Sequence, residues 1–154
     1  FIGGIYGVDT DIIHSRGEAL LDENDLLDRA DELVESYSHG MKQRLVLSAA
    51  RLHEPPLLIV DEPMVGLDPH GARRIKDTFR AIAEAGRTVF LSTHSLDTAQ
   101  EVCDRVGILY KGQIIRMGTV DEILSSAAGE DLEQVFLEIT EEARSHARPA
   151  EESA

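Results

Sequence analysis

One cysteine, Cys103, is all that the 154 residues contain. No disulfide framework can be drawn within the chain, and such low cysteine use fits a reducing cytosol. Cys103 falls in a predicted helix, where a small buried apolar side chain is its simplest role. Long apolar runs are lacking too. Spanning a bilayer takes about 20 apolar residues, and no stretch approaches that length. The apolar start, Phe1 to Val8, is too short for a signal peptide and has no basic flank. Basic charge is scarce: 15 Lys and Arg against 29 Asp and Glu leave a formal charge of -14. Nucleic-acid binders present a basic patch, and none is visible, so that partner class is disfavoured. The acidity is partly local, over Glu18 to Glu35 and beyond Glu130, and reads as solvated helix faces. Methionine is missing from the first position, which Phe1 occupies. The expectation is a piece of a longer polypeptide.

What is present is an ordinary globular composition, 42% hydrophobic and 29% charged, sufficient for one core. Residues 1–36 are helical but irregular, with no clear strand. Beyond a break at Glu35-Ser36, Ser38 caps a helix that runs to about Leu52, with Leu45, Leu47, Ala49 and Leu52 as apolar positions. Pro55-Pro56 stops it. The period then changes. Leu57–Val60 is a short continuous apolar run, which predicts a strand buried on both faces. Asp68-Pro69 opens a helix that ends near Ala85, before Gly86. Thr88–Ser92 is a second buried strand. Ser95 caps a helix through about Cys103, and Arg105–Tyr110 is a third strand. Lys111-Gly112 turns the chain, and Gln113–Met117 returns as a hairpin partner. Thr119 to Glu122 is a capping box for a short helix. Asp131 to about Ala143 forms a last amphipathic helix, frayed from Arg144. The order strand, helix, strand, helix, strand places the chain in the α/β class, with right-handed crossovers and a parallel sheet.

Ligands gather at the carboxyl ends of the strands in such sheets. Asp61 and Glu62 stand at one strand end. Asp61 can hold Mg²⁺ through water, and Glu62 can orient or deprotonate an attacking water. The pair can equally close a loop before Pro63. Ser38-His39-Gly40 begins a helix, where free N–H groups and the helix dipole favour an anion. Ser38 adds a hydroxyl, and Gly40 lets a phosphate approach the backbone. An ordinary N-cap reads the same way. His94, just beyond Thr88–Ser92, can donate a hydrogen bond to a terminal phosphate, or be a satisfied polar residue. Asp68 is most simply a helix cap. His14, His53, His70 and His146 show no metal-ligand spacing and read as surface residues. Gly-x-x-x-x-Gly-Lys-Ser/Thr, the loop that cradles phosphates from the other side, does not occur.

Taken together, Tyr37-Ser38-His39-Gly40-Met41, Leu57 to Glu62, Gly66-Leu67-Asp68-Pro69 and Ser92-Thr93-His94 resemble the ATPase subunits of ABC transporters. The resemblance covers roughly residues 1–140 and makes the first run the signature motif. The second is Walker B with Glu62 as catalytic glutamate, the third the D-loop, and His94 the switch histidine. Asp131 to Thr140 is similar to the tail of ABC-2 and drug-exporter ATPases. Tyr37, His39 and Met41 depart from the usual Leu-Ser-Gly-Gly-Gln and read as a mark of that exporter subtype.

The resemblance implies a partial P-loop NTPase fold: a helical signature subdomain over 1–52, an α/β core over 53–118, C-terminal helices over 119–143 and a disordered tail over 144–154. It implies ATP and Mg²⁺, with catalytic Glu62 and His94, nucleotide-binding Ser38, Gly40 and Asp68, and Asp61 serving the metal. It also implies a head-to-tail dimer with a second ATP-binding subunit and a permease partner, at the cytoplasmic face of the membrane. Walker A, the adenine-stacking aromatic and the Q-loop glutamine have no counterpart in these residues. The isolated chain is therefore expected to be inactive as an ATP hydrolase. One alternative is a truncated remnant that pairs with an intact ATPase subunit. Another is a chromosome-maintenance or DNA-repair ATPase, against which the tail, the acidity and the absence of coiled-coil heptads count.

Overall fold

The structure is a computed structural model that describes residues 1–126 and 131–146. The chain divides into two compact units, Phe1–Ser92 and the part from Thr93 on.

The first unit opens with a short helix α1 (Ile2–Ile5) and α2 (Thr10–Glu23), which Asp9 caps by accepting from the N–H of Asp11 at 2.9 Å. Two single 3-10 turns, Leu27–Arg29 and Val34–Ser36, lead to α3 (His39–Arg51). Then come β1 (Leu57–Asp61), α4 (Pro69–Glu84) and β2 (Thr88–Ser92). Helix α4 follows its local chemistry closely. Asp68 accepts from the N–H of Gly71 at 2.8 Å, Pro69 takes the first helical position, and Gly86 ends the element at φ +76°. Ile75, Phe79 and Ile82 recur on one helical face and are buried against Leu47 of α3 and Leu58 of β1. Each such burial contributes about 1.5–3 kcal/mol.

Strands β1 and β2 pair in parallel, with Leu57 opposite Thr88 and Asp61 opposite Ser92. The expectation that both strands are buried on two faces is corrected. Leu58 is buried, yet Ile59 is 68% and Phe90 61% exposed, and Leu57 is exposed beside them. One face carries the core and the other is open, as alternation along a strand dictates.

In the second unit, α5 (Leu96–Val102) is capped by Ser95. Next come β3 (Arg105–Tyr110), β4 (Gln113–Thr119), α6 (Val120–Ser126) and α7 (Leu132–His146). The third strand expected in the parallel sheet is corrected as well: β3 pairs antiparallel with β4, and the parallel ladder comprises β1 and β2. Lys111 and Gly112, at φ +48° and +79°, make the turn that joins them, and a tight turn delivers an antiparallel neighbour. The capping box forms as read: the Glu122 N–H donates to Thr119 Oγ1 at 3.1 Å and the Thr119 N–H to Glu122 Oε2 at 2.8 Å. That backbone bond holds the Glu122 carboxyl below the ordinary carboxylate range.

Helix α7 buries Leu132, Val135 and Ile139 against Ile108 and Ile123. It continues past the expected fraying point at Arg144 to His146, since Glu141 to Arg144 are all good helix formers. The rest of the expected tail, residues 147–154, lies outside the described residues. Cys103 sits just past α5 in extended conformation, not inside the helix, and is half-buried. Burial, then the neighbouring Asp104, pushes its thiol up. No described helix is long and apolar enough to cross a membrane.

Candidate functional site

A cavity of about 550 Å³ opens in the first unit. Two helix starts form much of its wall: Ser38, His39 and Gly40 at the head of α3, and Asp68, His70 and Gly71 at the head of α4. Both helices have 13 residues or more, so each brings a partial positive charge to the same space, although at α4 Pro69 has no N–H and the Asp68 side chain already takes the Gly71 N–H.

Glycines let these two segments meet. A Cβ on Gly40 would stand 3.1 Å from Leu67 Cδ2. Gly66 has φ +76°, and a Cβ there would stand 2.9 Å from the His39 ring. The Gln43 side-chain amide adds a bond to the Val65 carbonyl at 3.0 Å. Gly40 therefore has a packing duty besides any approach to phosphate. Tyr37 gains a physical reason too: its ring is buried, and its hydroxyl donates to the Arg29 carbonyl at 2.6 Å. This fixes the chain where it enters α3. Ser38 Oγ accepts from the Met41 N–H at 3.3 Å and is exposed at the helix tip. The Asp68 carboxyl is lowered, first by the bond from the Gly71 N–H.

Charged side chains complete the wall: Asp25, Arg44 and Arg74. Arg74 forms an ion pair with Asp25, and Arg44 lies 3.9 Å from the same carboxylate. Both arginines also reach back to the carboxyl end of α2. Arg44 Nη1 donates to the Asn24 carbonyl at 2.6 Å, and Arg74 Nη1 to the Glu23 carbonyl at 2.7 Å.

Asp61 and Glu62 stand at the carboxyl end of β1, outside the cavity lining. The Asp61 carboxylate is exposed and accepts from the Ser92 hydroxyl. Glu62 lies one residue past the strand at φ +45°. Glu62 therefore sits in a left-handed turn, outside the alternation of β1. His94 follows β2 by two residues, belongs to the second unit and is exposed.

The structure thus brings Ser38, Gly40 and Asp68 together around one cavity, and joins Asp61 and Glu62 to Ser92. Sequence reasoning missed Asp25, Arg44 and Arg74. Only Arg44 carried a sign, standing four residues past Gly40 on the same helical face. His70, read as a surface residue, is exposed and also lines the cavity. His53, read the same way, is half-buried and stacks on Tyr6 with ring centroids 3.8 Å apart.

Comparison with known proteins bears on the family. Residues 4–98 match the family described as "AAA domain, putative AbiEii toxin, Type IV TA system". The linearmycin resistance ATP-binding protein LnrL of Bacillus subtilis is 36% identical over 88% of this chain and 43% of its own length. The daunorubicin/doxorubicin resistance ATP-binding protein DrrA of Streptomyces peucetius is 38% identical over 81% of this chain and 38% of its own. A solved structure of the ATP binding subunit of an ABC transporter superposes with a TM-score of 0.79 at 34% identity, covering 90% of this chain and 59% of that one. The chain belongs to this AAA-domain family, and its homologues are the ATP-binding proteins of ABC transporters. It spans about two-fifths of the length of these two relatives.

Proposed function

We propose that the whole protein is the ATP-hydrolysing subunit of an ABC-type exporter, and that this chain supplies the half of the nucleotide site that meets the terminal phosphate. The observation that carries the reading is the single cavity walled by Ser38, Gly40 and Asp68, where two long helices begin. Helix starts of this kind suit a phosphate. With no phosphate-cradling loop in the sequence, the rest of the nucleotide is gripped by other chain, and Ser38 and Gly40 serve a nucleotide held by a second subunit. Asp68 acts across that head-to-tail dimer. The open face of β1 and β2, apolar at Leu57, Ile59 and Phe90, supports the presence of further chain over the sheet in the whole protein.

The family implies Mg²⁺, and the donor set fits it. Asp61 is a single exposed carboxylate, and no group of three His, Cys, Asp or Glu that could hold a metal occurs among the described residues. That suits a cation that keeps its waters and takes other ligands from phosphates, not an all-protein cage. When bound, the ion neutralises charge on the phosphates. Asp61 would hold it, with the Ser92 hydroxyl fixing the carboxylate. Glu62 orients the attacking water and takes its proton. His94 donates to the terminal phosphate. The export direction rests on relatives named for drug resistance. The subunit then works on the cytoplasmic side of the membrane against a permease, without nucleic acid, for which the acidic surface is unsuited.

The test is Glu62→Gln in the full-length protein. ATP binding is retained and turnover is lost; unchanged phosphate release removes Glu62 from the mechanism. The 154-residue chain by itself binds ATP weakly or not at all, and micromolar affinity by calorimetry contradicts the half-site reading.

A further inference from the structure

We propose that Asp25 is a built-in counter-ion on the arginine wall of the cavity, which an incoming phosphate displaces, so that Arg44 and Arg74 are phosphate-binding residues beyond Ser38 and Gly40. The proposal rests on the reading of this cavity as a phosphate site.

The argument begins with how the two cations are held. Each has an anchor that does not depend on Asp25. Arg44 donates to the Asn24 carbonyl at 2.6 Å and, through Nε, to the Gly40 carbonyl at 3.4 Å. Arg74 donates to the Glu23 carbonyl at 2.7 Å. These acceptors include the last carbonyls of α2, which lack partners within the helix. Take the Asp25 carboxylate away, and both guanidinium groups stay in the wall. A guanidinium carries five N–H groups in a planar fork that suits phosphate oxygens.

Exposure shows which partner can leave. The side chains of Arg44 and Arg74 are 19% and 36% exposed, while that of Asp25 is 62% exposed. The carboxylate can swing into water with little loss, whereas the cations cannot. Asp25 also has φ +50°, a conformation that a residue with a Cβ adopts at some strain. The other carboxylate of the wall, Asp68, feels the Arg44 charge but is held first by the Gly71 N–H at 2.8 Å, so Asp25 is the carboxylate paired with both arginines. His39 and His70 are the remaining titratable groups on the wall, and each can add a donor.

Against this single mobile carboxylate, a phosphate terminus has several advantages. It carries more charge, accepts forked bonds from arginine, and meets the dipole and the Ser38 hydroxyl at the start of α3. The ligand chemistry is the terminal phosphate of a polyphosphate chain, free or on a nucleoside. In the empty protein Asp25 keeps the two arginines paired, which restrains the wall from collecting stray anions and holds the fork in place.

The experiment uses the 154-residue chain and inorganic tripolyphosphate, with amide and arginine side-chain NMR shifts as the readout at low salt. Asp25→Asn is expected to bind about three- to fivefold more tightly than the unaltered chain, the scale of one exposed ion pair. That gain fades at 1 M salt, where the screening length falls to about 3 Å. Arg74→Gln binds more weakly, and Arg74→Lys, which keeps the charge and part of the fold's contacts, lies between. Circular dichroism of each variant confirms that the helices are intact. Equal or weaker binding by Asp25→Asn, with the unaltered chain still binding and Ser38→Ala weakening it, overturns the role of Asp25 and leaves the phosphate site standing. No binding by any variant at millimolar tripolyphosphate, where even a weak half-site fills, overturns the site as well.

Discussion

The backbone N–H of Glu62 donates to the carbonyl of Ser92 at 2.9 Å. This bond continues the parallel pairing one step past Asp61, whose carboxylate accepts from the Ser92 hydroxyl. Glu62 meets that requirement in left-handed backbone, φ +45°. Such a conformation costs a residue with a Cβ about 1–2 kcal/mol, against about 0.5–1 kcal/mol of extra chain entropy lost by glycine. Glu62→Gly should therefore range from neutral to about 1 kcal/mol more stable, although it deletes the proposed base. Glu62→Val, branched at Cβ, should be clearly less stable. Urea midpoints of the three chains check the order, and a large loss in the glycine variant argues that the carboxylate itself stabilises the turn.

Two phenylalanines make a contrasting pair. Phe79 is 4% exposed within the core of α4, α3 and β1, whereas Phe90 is 61% exposed on the open face of β2. Phe79→Ala should cost about 3–5 kcal/mol, the usual loss for a buried ring. Phe90→Ala should stay within about 0.5 kcal/mol, as an exposed site away from special features. Equilibrium denaturation measures both. A heavy loss at Phe90 means that another surface packs on this face in solution, which a concentration series of the same melts reveals.

The helix limits were legible because their chemistry is local. Ser38, Asp68 and Ser95 announce caps and Gly86 a stop, each within two residues of the observed boundary, while Pro55-Pro56 follows the end of α3 at Arg51 by four residues. Strand surroundings were less legible. A run such as Leu57–Val60 says strand, but how many of its faces are covered depends on chain far away in sequence. Arg105–Tyr110 read as a third parallel strand from the order of elements, and the turn at Lys111-Gly112 makes its partner the adjacent β4 instead. Ser38, Gly40 and Asp68 were found as residues with a job at a helix start. Asp25, Arg44 and Arg74 come from three separate elements, and only tertiary packing makes them neighbours.

Gly40 separates packing from ligand contact. A Cβ there meets Leu67 Cδ2 at 3.1 Å, which asks the leucine to yield slightly. Ala in place of Gly within a helix returns about 0.5–1 kcal/mol. Gly40→Ala should thus change stability by less than about 1 kcal/mol, and Gly40→Ala combined with Leu67→Ala should show positive coupling relative to the two single changes. Calorimetric melts of the four chains close the cycle. If Gly40→Ala weakens tripolyphosphate binding equally with and without Leu67, approach to the ligand is what the glycine serves.

Asp68 sets an acid limit on α4. Its carboxyl lies below the ordinary carboxylate range in the folded chain, chiefly through the bond from the Gly71 N–H. A depressed folded value means stability that is present above the unfolded value and lost as pH falls through the folded one. The contribution is therefore complete at pH 7 and drains away below about pH 4. Asp68→Asn isolates it, because asparagine still caps a helix but carries no titrating charge for the helix dipole. At pH 7 the unaltered chain should melt above the Asn variant, and the gap should narrow as pH falls below about 4. Glu122 drains over the same range, but it is shared by both chains and cancels in the difference. A gap that stays constant from pH 7 to pH 3 assigns the cap to hydrogen-bond geometry alone and removes the charge of Asp68 from the stability of the helix.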